Sequence, residues 1–257
     1  AQASVCNYVR RNGIEPHENR RLTTLNYSFF KTLTQESLWI LGWFFSDGNV
    51  SKSGYKFGIS VHRNDEYLFN KIGKIMGFNR ESIYRSKRAK LTEFNGYSEE
   101  IHSDLVKLGC VPNKSLIIRY PTIFTEDWQH WAFLRGVLEG DGHISLKTQG
   151  NRPGFNCEIA SGSMEFLKDI AKILKEKLNI DSNINQRPNT NSTKIRILGG
   201  KEPILKFLDL LYKDCPEETR LERKYQIYLK MHQVVLRNKL PMYPNRAKMR
   251  EGYFLSP

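Results

Sequence analysis

The chain has 257 residues and a net charge of +13, from 40 Lys and Arg against 27 Asp and Glu, a surplus that points to a polyanionic partner, most simply nucleic acid. The length allows one large domain or two modest ones, and 39% hydrophobic with 12% aromatic residues excludes a disordered chain. No apolar run approaches the roughly 20 residues of a membrane helix, the polar, basic N-terminus does not read as a signal peptide, and the scattered Cys6, Cys110, Cys157 and Cys215 form no Cys-x-x-Cys pair, which excludes zinc ribbons and redox motifs and suits a reduced, intracellular setting.

Ser4 to Asn12 reads as a short helix stopped by Gly13, with Val5 and Val9 on one side. It is either the last helix of a helix-turn-helix with a basic arm or a capping helix with a basic linker; one helix does not decide. Leu25 to Leu33 is an apolar docking segment. Thr34 is the N-cap of a helix with Glu36 and Ser37 in its first turn, and that helix ends at Asp47-Gly48. A turn follows, then an alternating strand from Tyr55 to His62. Asp65 caps a helix to about Met76, with Leu68, Phe69, Ile72 and Ile75 at core spacing. Strands near Ser82 to Ser86 and Lys90 to Phe94 precede a helix from Ser98 to Leu108, closed by Gly109.

The order then repeats. The helix ending LRGVLEGDG (Leu134 to Gly142) echoes ILGWFFSDG (Ile40 to Gly48): Gly136 matches Gly42, Gly140 matches Ser46, and Asp141 matches Asp47. Glycine inside a helix costs about 1 kcal/mol against alanine. Small residues four apart admit a close helix partner, and here each motif supplies the other's. Strands at His143 to Lys147 and Asn156 to Ser161, a helix from Ser163 to Leu178, strands at Ser182 to Arg187 and Lys194 to Leu198, a Gly199-Gly200 turn, and helices Glu202 to Tyr212 and Glu217 to Val235 complete the second half. This is an α+β chain of two pseudo-symmetric αββαββα units with a helical N-terminal extension. A basic tail from Leu236 carries Arg237, Lys239, Arg246, Lys248 and Arg250, placed to lie on phosphates.

The paired motifs resemble those of the single-chain LAGLIDADG homing endonucleases, over about Gln35 to Val235. The expected divisions are residues 1–34, a first half at 35–120, a second half at 121–235, and a tail at 236–257. Phe45 departs from the acid of the consensus, Glu139 keeps it, and Arg135 replaces a small residue and is expected to face outward. The resemblance implies two antiparallel sheets forming a DNA-binding saddle and a monomer that cuts both strands of a target site across the minor groove, leaving short 3′ overhangs. It also implies a mobile intron as host element, in a bacterial or phage host or an organelle. The alternatives on the same fold are an intron RNA maturase, with the host intron RNA as partner, and a non-catalytic DNA-binding regulator.

Two helices packed along small residues end side by side, so Asp47 and Asp141 converge. Each acid meets the negative end of its helix dipole, and two close carboxylates repel unless a cation lies between them. Mg²⁺ binds through few carboxylates plus phosphate and water, with Mn²⁺ or Ca²⁺ able to substitute in binding. The resemblance adds the backbone of Gly48 and Gly142 to that metal site, and a basic residue near each acid, Lys224 and Lys114; the alternative is that these are ordinary surface lysines. His143 is expected to face solvent or DNA rather than a metal. Strand alternation proposes Lys56, His62, Arg85, Lys87 and Arg88 in the first half, and Gln186, Arg187, Lys194 and Arg196 in the second, as the DNA-facing set.

Overall fold

The computed structural model describes residues 25–78, 83–86, 90–149, 152–186 and 192–239. The expected helix at Ser4 to Asn12, and Arg246, Lys248 and Arg250 of the tail, lie outside them. The first half runs α1 (Gln35–Ser46), β1 (Gly48–Val50), β2 (Lys56–His62), α2 (Leu68–Met76), β3 (Ile83–Arg85), β4 (Leu91–Tyr97) and α3 (Glu99–Lys107). The second runs α4 (Asp127–Asp141), β5 (Gly142–Gln149), β6 (Arg152–Ser161), α5 (Met164–Leu178), β7 (Ser182–Gln186), β8 (Thr193–Ile197), α6 (Lys201–Tyr212) and α7 (Glu222–Lys239). The sheets are antiparallel and share one topology, β1-β2-β4-β3 and β5-β6-β8-β7.

Local chemistry sets the ends of these elements. Thr34 and Ser37 form a reciprocal cap at the start of α1, with Ser37 N–H donating to Thr34 Oγ1 at 3.2 Å and Thr34 N–H to Ser37 Oγ at 2.8 Å. Ser98 and Ser163 cap α3 and α5 in the simpler one-way manner. Gly77 and Gly109, at φ +76° and +101°, follow α2 and α3 in the left-handed region that glycine tolerates.

α1 and α4 form the centre, and both bury nearly their whole circumference. They cross through glycine in a reciprocal way: a Cβ on Gly42 would stand 2.3 Å from the Phe133 carbonyl oxygen, and one on Gly136 would stand 2.1 Å from that of Trp39. Any side chain at either position would drive the helices apart. The surrounding aliphatic and aromatic residues make one core that runs through both halves.

Several expectations change. Gly48–Val50, expected as a turn, pairs with β2 as a short edge strand. Asp65 does not cap α2; it lies in a 3-10 turn, buried, and its carboxylate accepts from Arg223. The last helix starts at Glu222 rather than Glu217, because Glu217–Thr219 is a 3-10 turn and Arg220 is extended. Arg135 faces inward: it is 4% exposed and donates to the Leu211 carbonyl at 3.0 Å and Thr219 Oγ1 at 3.3 Å. A helix buried on all sides has no outward face for it to take.

Candidate active site

The two acids come together where α1 and α4 end. Asp47 is the C-cap of α1, its N–H donating to the Trp43 carbonyl at 3.0 Å, and Asp141 is the last residue of α4. Ser46 and Gly140 are the closest point of the helix ends. A Cβ on Gly140 would stand 2.0 Å from Ser46 Oγ and 2.8 Å from Asp47 Oδ2, so the Asp47 carboxylate lies over the last turn of α4. A cleft of about 480 Å³ opens beside them, lined by Phe45, Ser46, Lys114, Asp141, Ser161 and Gly162 among others.

Burial, reinforced by repulsion from Asp141, pushes the Asp47 carboxyl up to about 7 against the pull of Lys224 and Lys114. Burial also raises Asp141, although it stays exposed at the mouth of the cleft, and the nearby lysines oppose the shift. Asp47 therefore keeps, for part of the time at neutral pH, a proton that a solvated carboxylate would have lost. A divalent cation relieves both causes at once, and two carboxylates beside an open cleft meet the modest needs of Mg²⁺. Among the described residues no cluster of three or more His, Cys, Asp or Glu is placed to hold a metal, so phosphate and water would have to supply the other ligands.

Lys114 and Lys224 are buried rather than free at the surface. Lys114 Nζ donates to the carbonyls of Phe45 and Ser46, both at 2.9 Å. Lys224 Nζ donates to those of Leu138, Glu139 and Gly142, each at 2.6 Å. The Phe45, Ser46 and Glu139 carbonyls belong to the last turns of α1 and α4, where a helix runs out of its own donors, and the ammonium groups offset the negative pole that each aspartate also faces. Burial lowers both ammonium pKa values, that of Lys224 to about 8. The Gly142 carbonyl, expected beside a metal, accepts from Lys224 with one of its two lone pairs; Gly48 opens β1 opposite Ile59.

Glu139 and Phe45, which keep and lose the acid of the motif, shape this end of the molecule. Glu139 is wholly buried and accepts from Trp39 Nε1 at 2.7 Å and from the Leu221 N–H at 2.8 Å. Phe45, its counterpart on α1, instead packs edge-on against Phe133, with ring centroids 4.9 Å apart. Its departure from the consensus acid was legible; the partners that replace the acid's hydrogen bonds were not.

Strand register sorts the proposed DNA-facing set. In β2, Phe57, Ile59 and Val61 point into the core, leaving Lys56 and His62 on the outer face. Lys194 and Arg196 also lie on the outer face, where Glu158 binds both: Arg196 Nε donates to it at 2.7 Å and Lys194 Nζ at 3.4 Å. His143 lies opposite Glu158 on that face. Arg85 and Gln186 are corrections. Arg85 pairs with Thr92, on the same face as the core residue Phe94, and its Nε donates to Glu66 at 2.8 and 3.0 Å. Gln186 pairs with buried Thr193, on the face of Ile195. Side chains directly opposite in a pair share a face, so both edge-strand residues point to the helix side, and Tyr84, Asn183 and Asn185 take the outer positions. Lys87, Arg88 and Arg187 lie outside the described residues.

Residues 128–212 match the LAGLIDADG-like domain family. A search of curated proteins finds no match to the sequence. Among solved structures, full-length DUF199/WhiA from Thermatoga maritima aligns with 89% of this chain and 72% of its own, at 19% identity and a TM-score of 0.54. The meganuclease I-SmaMI bound to uncleaveable DNA aligns with 85% of this chain and 97% of its own, at 14% identity and a TM-score of 0.55. The I-LtrWI LAGLIDADG homing endonuclease bound to target DNA aligns with 83% and 92%, at 12% identity and a TM-score of 0.53. At these identities the likeness is one of fold.

Proposed function

Given its two-motif LAGLIDADG fold, with a LAGLIDADG-like domain at residues 128–212, we propose that this chain is a metal-dependent, site-specific double-strand DNA endonuclease. The observation that carries the reading is the pair Asp47 and Asp141, brought together at the ends of two helices, each against its helix dipole and against the other. Such an arrangement costs stability, because burial and repulsion at Asp47 outweigh the attraction of Lys224 and Lys114. Two of the similar structures hold DNA, and the charge of +13 suits the same partner.

Asp47 and Asp141 would hold one or more Mg²⁺ ions at the dyad. When bound, a divalent cation supplies an acidified water and neutralises charge on the scissile phosphate. The chain's own residues do the rest. Lys56, His62, Lys194 and Arg196 offer contacts to phosphates and base edges from the outer sheet faces. Lys114 and Lys224 fix the helix ends that carry the aspartates and add positive potential where phosphate charge grows. The cleft beside Asp141 leaves room for the backbone to enter.

A second reading has one specific observation in its favour: the buried Lys114 and Lys224 already place positive charge beside Asp141 without a metal. On that reading the chain binds DNA without cutting it. One experiment separates the two. Randomised duplex DNA is incubated with the protein and Mg²⁺, and cleaved and retained sequences are both recovered. The nuclease reading expects defined cleaved sites, with loss of cutting in Asp47→Asn and Asp141→Asn but retained binding. Selective retention with no cleaved fraction would sink it in favour of the binding protein.

A further inference from the structure

Each half of the molecule holds the segment that carries the other half's lysine. Lys224 caps α4 of its own half, yet the residues leading to it are tied to the first half. Arg223 Nε donates to both carboxylate oxygens of Asp65, at 3.0 and 2.9 Å. The Glu222 N–H donates to the Tyr67 hydroxyl at 3.1 Å, and Lys71 Nζ donates to the carbonyls of Glu217 and Arg220 at 2.5 and 3.1 Å.

Lys114 is the reciprocal case. It caps α1 of the first half, while the residues after it dock on the second half. Ser163 Oγ donates to the Ile118 carbonyl at 2.7 Å, Arg119 Nη1 to Glu165 at 2.8 Å, and Arg119 Nη2 to Asp169 at 3.2 Å. The Tyr120 N–H also donates to Asp169, at 3.3 Å. Gly162 approaches so closely that a Cβ there would stand 2.5 Å from the Ser115 carbonyl oxygen.

The holding residues occupy matching places, one set leading into α2 and the other opening α5. Exposed ion pairs contribute little by themselves, but Asp65 and Ser163 are buried, and hydrogen bonds to charged groups are the stronger kind. Sheet and clamp are also joined: Glu66, next to Asp65, accepts from Arg85 of β3 and from Thr92 of β4.

We propose that Asp65, Tyr67 and Lys71 are positioning residues for Lys224, and Ser163, Glu165 and Asp169 for Lys114, so that each half sets the geometry of the other half's lysine. The lysine stays fixed only while the opposite half keeps its shape.

Hydrogen exchange on the full chain tests this without relying on catalysis. In Asp65→Asn/Tyr67→Phe, amide exchange at residues 221–225 should rise about tenfold, the scale set by losing one hydrogen bond to a charged group, with residues 111–118 unchanged. In Arg119→Ala/Asp169→Asn the pattern should reverse. Loosening of both segments together in either variant, or of neither, overturns the proposal. The single changes Tyr67→Phe and Arg119→Ala repeat the comparison if a double variant does not fold. A second arm rests on the nuclease reading. If wild type linearises target plasmid, the two variants should accumulate nicked circles with opposite strand bias; equal slowing of both strands counts against the proposal. A wild type that cuts nothing refutes the nuclease reading, and the exchange arm still decides the clamp.

Discussion

Asp47→Asn should make the metal-free protein more stable above neutral pH. The Asp47 carboxyl titrates at about 7 in the fold against 3.8 in its ordinary state. An acid whose folded pKa is raised favours the folded state when protonated. Its contribution is therefore fully present below about pH 4, is lost as pH rises through about 7, and is flat above that. The gap between 3.8 and about 7, at about 1.4 kcal/mol per unit, is an upper limit of about 4 kcal/mol. Water reaching the partly exposed carboxylate brings the expectation down to about 2–4 kcal/mol. Urea denaturation of wild type and variant, with chelator present, should give a stability difference near zero at about pH 4 that grows to this size by about pH 8. The difference is the diagnostic quantity, because carboxylates held low by partners, such as Glu66 beside Arg85, pull the raw curves the other way. Adding Mg²⁺ should then stabilise wild type alone by mass action and close the gap. A difference that does not change with pH would refute the reasoning, and a gap that persists with Mg²⁺ would remove the aspartates from any metal site.

Gly136→Ala should destabilise the fold by about 2–4 kcal/mol, since its methyl would meet the Trp39 carbonyl at 2.1 Å and the gain in helix propensity recovers only about 1 kcal/mol. Gly154→Ala, where the nearest atom is 3.9 Å away, is the control in the same denaturation series; equal stabilities would mean that the helices do not cross as described. Arg196→Ala should lower DNA affinity and reduce the salt slope by about one, whereas Arg85→Ala, on the helix side of its sheet, should leave the slope unchanged; a titration at several salt concentrations decides, and equal effects would mean that strand register does not choose the DNA-facing residues.

The duplication was legible because two different periodicities repeat in one order, and the glycine pairs stood out because helices seldom tolerate them. Asp47 and Asp141 followed from both. What the sequence hid was anything set by tertiary register. Arg85 and Gln186 sit at strand ends, where one residue's shift reverses the face, and basic or amide character alone does not say which face. Asp65 had the sequence look of a helix cap, but a cap and an acid awaiting a distant arginine are the same letter. Arginine usually faces outward, so the sequence alone places Arg135 at the surface. Helix α4 has no outward side, and two carbonyl and hydroxyl oxygens stand where its guanidinium ends.

The difference between the halves at Phe45 and Glu139 also bears on Lys224. Phe45 and Glu139 occupy equivalent sites, each facing an aromatic ring of the other helix, Phe133 or Trp39. The ring pair needs nothing else. The carboxylate, wholly buried, must be satisfied, and its second hydrogen bond comes from Leu221, three residues before Lys224. Lys114 lies on the connection between the halves, so covalent continuity restrains it on both sides. Lys224 lies in the first turn of α7, on a segment that Asp65, Tyr67 and Lys71 tie to the first half. An apolar contact there would attract without fixing direction, whereas a buried carboxylate that loses its N–H donor is costly. Glu139 therefore adds, from the second half, a directional tie to those that the first half supplies. Phe45 leaves the first motif without such a tie, and the segment after Lys114 is held instead by the docking of Ile118 and Arg119 on the start of α5.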